Sequence, residues 1–389
     1  MNKTTFSSLA GVDEPLVGFS RSPGVVAAVT EAGGLGVLAA SGYTPPELDA
    51  QLTWIESRVK GKPYGVDLLI PEKFVATDDS ENLIAGLRAQ IPQQHIDFVQ
   101  GLLVKYGIPT NNHPDDLVGG DFGRILAESI RPEGAEALLD VAFAHDIRLV
   151  ANALGPAPAD LVARSHAADV VVAALVGAPK HVSRQVEVGV DVIVAQGTEA
   201  GGHTGTIATM VLTPEVVDMA EDRPVLAAGG VASGRQMAAA LALGAAGVWC
   251  GSVWLSSVED ITPDDVKSKF ISASSSDTVR SPTRTGKPAR QLRTAWHEEW
   301  AQPGSPSVLP MPLQPLLVSD AWAHIGAAAA DGHEGALELQ SYYIGQVVGS
   351  FRTQRSAYEI ARELIEECGL RLEELGQMRS SSWKAPRLR

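Results

Sequence analysis

One stretch limits the fold of this chain more than any other: the apolar run VDVIVA (Val190 to Ala195) leading directly into QGTEAGGHTG, which ends at Gly205. A run this rich in β-branched residues reads as a strand buried on both faces, as in a parallel sheet. The four glycines behind it let backbone approach a flat or anionic ligand more closely than any residue with a side chain allows. His203 then stands at the C-terminal mouth of the strand, where open and closed α/β folds place their chemistry. The plainer alternative is a glycine-rich turn with a surface histidine.

A second segment repeats the pattern. PVLAAGGV (Pro224 to Val231) is another apolar strand ending in two glycines. The helical stretch SGRQMAAALALGA (Ser233 to Ala245) follows, then the strand GVWCGS (Gly247 to Ser252). Two βα units tipped with glycine suit a phosphate held by backbone N–H groups and a helix N-terminus. Loops after the late strands of a (β/α)8 barrel are the usual place for one. Two tightly packed glycine turns are the alternative. No G-x-G-x-x-G or Walker loop occurs, so a dinucleotide or nucleoside triphosphate is the weaker expectation.

Strands and helices alternate along the chain, which favours parallel βαβ units. The strand readings are Pro15–Phe19, Leu35–Ala40, Pro63–Ile70, Arg148–Leu154, Asp169–Leu175, Val190–Ala195, Pro224–Val231 and Gly247–Ser252. Ser22 and Pro23 open a helix to Gly33, and another helix runs from Pro45 to about Lys60. Eight such strands predict an α/β fold, a (β/α)8 TIM barrel whose first part is residues 1–70 and whose remainder, with the phosphate site, is 146–271.

Residues 71–145 are too long for one crossover and read as a helical insertion of three amphipathic segments, with the turn-rich NNHPDDLVGGDFG between two of them. An insertion after an early strand falls at the catalytic face, which makes it a candidate lid; a plain helical cap or a dimer contact are the alternatives. Residues 272–389 begin with a polar, loop-like stretch (Ser272 to Arg293). A proline-rich stretch (Gln302 to Pro315) and helical periodicity from about Asp320 to Gly376 follow. The last part of this, SAYEIARELIEECGLRLEEL, reads as an amphipathic helix pair.

Composition narrows the partners. A chain of 389 residues that is 45% hydrophobic can bury a large core, and a formal charge of −15 argues against nucleic acid or an anionic membrane. Two cysteines, Cys250 and Cys368, provide no disulfide framework. With no signal peptide and no apolar run long enough to span a bilayer, the expectation is a soluble, cytoplasmic protein. The histidines show no metal-ligand spacing and no G-x-S-x-G elbow appears, so neither a metal site nor a hydrolase triad is expected. Glu199 reads as an acid or base, or as a group that hydrogen-bonds backbone at the turn or faces the neighbouring helix.

The motifs GVDVIVAQGTEAGGHTG (Gly189 to Gly205), PVLAAGGVASGRQMAAALALGAAGVWCGS (Pro224 to Ser252) and VAAVTEAGGLGVLAASG (Val26 to Gly42) are together similar to the nitronate monooxygenase family. Weaker echoes are YGVDLL, RTGKPARQLR and YYIGQVVGSF. These enzymes, formerly 2-nitropropane dioxygenases, are FMN-dependent TIM barrels related to flavin-containing enoyl-acyl-carrier-protein reductases. The resemblance implies FMN contacts at Gln196, Gly201, Gly202, Gly229, Gly230, Trp249, Cys250, Gly251 and Ser252. It also implies a smaller, mostly helical C-terminal domain packed over the barrel mouth. Gln196 can hydrogen-bond the flavin's polar edge, and Gly230, Gly251 and Ser252 can present N–H groups and a hydroxyl to phosphate.

Two departures from the family pattern fall at the pocket. Its G-V-N reads here as Gly65, Val66 and Asp67, and an ionised Asp67 can only accept hydrogen bonds where an amide donates. The first strand ends in Gly18, Phe19, Ser20 and Arg21, so that Phe19 would pack on the flavin ring and Arg21 would add positive charge.

The resemblance makes His203 the catalytic candidate as base, acid or hydrogen-bond donor, roles open to an imidazole near neutrality. A purely structural histidine is the alternative. The implied activity is oxidation of alkyl nitronates by O2 to carbonyl compounds and nitrite. The rivals are an NAD(P)H-dependent flavin reductase of an enoyl or thioester substrate and a non-catalytic flavin-binding sensor. The expected partners are therefore a small-molecule substrate (a nitronate or an unsaturated acyl compound) and O2, with a homodimer left open.

Overall fold

The computed structural model describes residues 3–70, 85–111, 132–153 and 155–380. Eight parallel strands close a barrel: β1 (Leu16–Ser20), β2 (Leu35–Ala39), β3 (Tyr64–Leu68), β4 (Leu149–Asn152), β5 (Val171–Val176), β6 (Val192–Gln196), β8 (Val225–Ala228) and β9 (Gly247–Cys250). Closure comes from β9 beside β1, with Val248 opposite Leu16 and Cys250 opposite Gly18. The predicted TIM barrel is the observed fold, and all eight strand readings fall on barrel strands.

Strand alternation sorts the side chains into two layers. Val17, Leu35, Val37, Leu149, Ala151, Val171, Ala173, Val192, Val194, Leu226, Ala228 and Trp249 fill the interior. Their neighbours, such as Val66, Val150, Val172 and Ile193, pack outward against the helices. A short helix ahead of the barrel, Thr5–Ala10, was not anticipated. It inserts Phe6, fully buried, among the interior residues of the barrel.

The predicted insertion divides between two surroundings. The helix Pro132–Phe143 packs Ala135, Leu138, Leu139 and Ala142 into the same outer layer as the helix Pro45–Val59, as an ordinary barrel helix does. The helix Gln93–Lys105 joins a different core, its Val99, Leu102 and Leu103 packing with Trp296, Trp300, Val318 and Ile325. That core belongs to the helices Ala295–Trp300, Leu313–Ala330 and Glu334–Leu339, so the middle of the insertion and the C-terminal region build one helical lobe. The first amphipathic segment before Ala85 and most of the turn-rich stretch lie outside the described residues.

Two local readings are corrected. The stretch 272–293 is not a loop. It holds β10 (Thr278–Ser281) and β11 (Ala289–Leu292), an antiparallel pair joined at one edge by the two-residue strand β7 (Gly202–His203). Polar side chains masked this hairpin because its ladder is completed by a segment distant in sequence. The expected helix pair at the end is one helix, Ala357–Ser380, running unbroken through Gly369 and Gly376. It lies close against the helix Gly234–Ala242: a Cβ at Gly234 would clash with the Cys368 backbone nitrogen. Among the described residues no helix is long and apolar enough to cross a membrane.

Candidate active site

The loop after β6 is held on every side. Glu199 accepts from the Thr209 amide at 2.9 and 3.1 Å and from its hydroxyl at 2.9 Å, placing a carboxylate at the start of the helix Thr209–Met219. Glu199 thus bonds backbone at the start of the neighbouring helix, as its two structural readings have it. Arg290 donates to the Thr198 carbonyl at 2.8 Å, and Arg280 to the Thr204 carbonyl at 2.7 Å. Between them Gly202 and His203 pair with Arg290 and Ala289 of β11. The segment Ile344–Gln346 lies over the loop so tightly that a Cβ at Gly201 would sit 2.9 Å from the Gly345 nitrogen.

His203 therefore stands on a short strand with a fixed backbone. Its Nε2 is 2.8 Å from the Thr285 hydroxyl, which itself donates to the Lys287 carbonyl at 3.1 Å. With that hydroxyl proton committed, the neutral ring donates through Nε2 and leaves the Nδ1 lone pair available. The ring is open to solvent, yet much protein surrounds it, as fits a residue on the wall of a concavity. Partial desolvation, aided by the Lys287 charge, lowers its pKa from the ordinary 6.5 and keeps it neutral at pH 7. The Tyr343 ring lies 6.3 Å from it, centroid to centroid.

Inside the barrel, at the same end, Phe19 and Trp249 meet at 5.9 Å with their planes tilted by 31°. Asp67 lies opposite Ala39 and Ala151 in the ladder, and is 5% exposed. Burial alone pushes its carboxyl up to about 8, so it is a neutral acid at pH 7. This reverses the expectation of a negative charge there: a protonated Asp67 has one O–H to donate, as an amide would. Gln196 ends β6 half-buried. Cys250 points the other way, into the outer core with Met237 and Leu364, and burial raises its thiol to about 12. Any contact it makes with a ligand inside the barrel is through its backbone.

The glycine tips of the last two barrel strands form a cradle. Gly229 and Gly230 take φ values of +94° and +74°, which a residue with a side chain rarely adopts. Among the described residues the N–H groups of Gly229, Gly230 and Ser252 donate to no protein acceptor. The Ser252 hydroxyl accepts from the Gly345 amide at 2.8 Å, and Gly251 lies against Phe19. Unpaired N–H groups at two adjacent strand tips suit a phosphate. The helix N-terminus expected to assist is taken: Glu367 accepts from the Gly234 amide at 2.6 Å, and Ser233 caps the helix.

The structure thus brings Gln196, Gly201, Gly202, His203, Gly229, Gly230, Gly251 and Ser252 to one end of the barrel, with Phe19, Asp67 and Trp249 in its interior. Thr285, Tyr343 and Arg290 were not singled out. The only sequence signals for them were the weak echoes RTGKPARQLR and YYIGQVVGSF, whose residues meet the glycine loop only in three dimensions.

A (β/α)8 barrel with a glycine cradle at its late strands and a histidine beside it is the architecture of a phosphate-bearing cofactor enzyme. The nitronate monooxygenase family model matches residues 11–367, and the chain belongs to that family; it is a flavin-dependent oxidoreductase. A Mycobacterium tuberculosis protein provisionally named a monooxygenase is 54% identical over 94% of this chain and 96% of its own. An octahydroindene-carboxyl-CoA dehydrogenase of Rhodococcus jostii is 32% identical over 75% of this chain and 66% of its own. Among solved structures, nitroalkane oxidase from Streptomyces ansochromogenes is similar with a TM-score of 0.75 and 25% identity, over 95% of this chain and 99% of that one.

Proposed function

We propose that this chain is an FMN-dependent nitronate monooxygenase, oxidising alkyl nitronates with O2 to carbonyl compounds and nitrite. The observation that carries the reading is the charge pattern around His203. The imidazole is neutral, Lys287 is near enough to depress its pKa, and the buried carboxyl of Asp67 is uncharged at pH 7. An anionic substrate meets the Lys287 charge there, despite a chain charge of −15.

In this reading Gly229, Gly230 and Ser252 hold the FMN phosphate by their N–H groups. Gln196 and the Asp67 O–H would serve the polar part of the flavin, and Phe19 and Trp249 would hold its ring. Bound there, FMN would supply the redox chemistry between substrate and O2. The protein's part is to orient the substrate and to keep a proton acceptor, His203 Nδ1, at the reacting end.

A second reading is oxidation or reduction of an acyl thioester with a nicotinamide partner. It is favoured by the 32% identical relative that is named a carboxyl-CoA dehydrogenase. Anaerobic mixing of the flavin-loaded protein with an alkyl nitronate, and separately with NADH or NADPH, distinguishes them. Bleaching of the flavin by nitronate, followed by nitrite release on admitting O2, is the expected result. Bleaching by the nicotinamide alone would overturn the nitronate reading in favour of the thioester one.

A further inference from the structure

The ladder that closes the barrel stops short of the pocket. β9 pairs with β1 only as far as Gly18, opposite Cys250, whereas β2 follows β1 to Ser20. On the β9 side, side chains take over. Strand alternation turns Phe19 into the barrel and Ser20 to the opposite face. There the Ser20 hydroxyl donates to the Asp260 carboxyl at 3.1 Å, and the same oxygen accepts from the Ser22 hydroxyl at 3.1 Å. The Thr262 amide donates to the other carboxyl oxygen at 2.8 Å. Both hydroxyls are also acceptors, Ser20 from the Ser22 amide at 3.0 Å and Ser22 from the Ile261 amide at 2.8 Å. All three side chains are buried, Asp260 at 6% exposed.

Ser22 gives up its usual role to take part. It is the N-cap of the helix Pro23–Glu31, yet its side chain makes no cap hydrogen bond. A serine there ordinarily accepts from the first turn of its own helix. Asp260 is in turn anchored from behind. The buried Lys267 ammonium donates to its carbonyl at 2.8 Å, Val258 donates to the Arg355 carbonyl at 3.0 Å, and Glu259 accepts the Ala357 amide at 2.8 Å. A Cβ at Gly24 would lie 3.1 Å from the Glu259 Cβ, which leaves this segment no room to slide along the helix it grips. What the clasp holds is Phe19, whose ring meets Trp249 at 5.9 Å and comes within 3.5 Å of where a Cβ on Gly251 would stand.

We propose that Asp260 is a positioning residue: through Ser20 and Ser22 it fixes the Phe19 ring against Trp249, and with it the seat of the flavin ring. The inference rests on the reading above that Phe19 and Trp249 hold that ring, and extends it to a carboxyl that acts only through the tip of β1. The clasp shares no hydrogen bond with the cradle at Gly229, Gly230 and Ser252, so FMN stays bound without it, but less tightly and in altered surroundings.

The test is a double-mutant cycle on the flavin-loaded protein, without substrate. FMN released on serial dilution is read by its fluorescence, and the visible circular dichroism of the bound flavin reports the surroundings of its ring. In Asp260→Asn one acceptor becomes a donor, so either the Thr262 amide or the serine hydroxyls lose their partner. This variant should weaken FMN binding about three- to tenfold and alter the dichroism, and Ser20→Ala should do the same by about threefold. With Phe19→Leu already in place, both effects should shrink below about twofold, because the clasp then has no ring to position. Ser20→Ala removes a single hydroxyl and carries the cycle if Asp260→Asn folds poorly.

Unchanged affinity and dichroism in both variants, or changes of equal size with and without Phe19, would overturn the proposal; the second is what a general loosening of the barrel gives. Failure of the nitronate reading is separable. Coupling between Asp260 and Phe19 would persist in a protein whose flavin no nitronate bleaches.

Discussion

Replacing Asp67 with Asn should stabilise the protein, and by an amount that depends on pH. Asp67 sits in the barrel interior between Ala39 and Ala151, and burial is the whole cause of its rise from 3.8 to about 8. Because its folded pKa is raised, the folded chain holds the proton more tightly than the unfolded chain does. The stability associated with this group is therefore complete below pH 3.8 and drains away as the pH climbs to about 8.

Each unit of difference is worth about 1.4 kcal/mol, so at pH 7, about three units above the unfolded value, the folded state gives up roughly 4 kcal/mol. Relaxation and water entry reduce such figures, and a threefold discount still leaves more than about 1 kcal/mol. Asn has nearly the same shape and no charge to desolvate, and so escapes this loss. Urea unfolding midpoints of wild type and Asp67→Asn, compared from pH 5 to 9 at matched flavin content, supply the assay. The variant's advantage should grow steadily from pH 5 to 8 and then level off. A difference that stays constant across that range would refute a neutral, desolvated Asp67.

Three further outcomes are expected. His203→Asn should lower kcat/KM by about 10²- to 10³-fold and abolish an acid limb that, in wild type, falls below pH 6.5 because the imidazole must be neutral; steady-state pH profiles of both proteins check this. Thr285→Val removes the 2.8 Å partner of His203 Nε2, and should cost about tenfold in kcat and displace that limb while flavin binding holds. Gly234→Ala sets a Cβ against the Cys368 nitrogen and the Leu364 carbonyl, and should destabilise by roughly 2 kcal/mol. A lower Tm and earlier proteolysis of the C-terminal helix would report it.

The barrel was readable because each of its strands is a local signal. VDVIVA, PVLAA and GVWC are apolar on both faces, as strands between a filled interior and a helical layer must be, and the glycines at their tips mark the ligand end. His203 was readable for the same reason, being eight residues beyond Ala195. The hairpin of β10 and β11 was not, since its residues are polar and its third strand comes from the glycine loop. The protonation of Asp67 could not be read either. A carboxyl in the sequence YGVDLL is an ordinary acid until Ala39 and Ala151 close around it.

The sequence by itself determined the barrel, its strand order and the end at which its glycine-rich tips gather, because periodicity and glycine placement act over a few residues. The tertiary structure decided which groups are charged, which donors lack partners and which loop holds the histidine. Those properties depend on burial and on contacts between residues as far apart as His203 and Thr285, which no local pattern encodes.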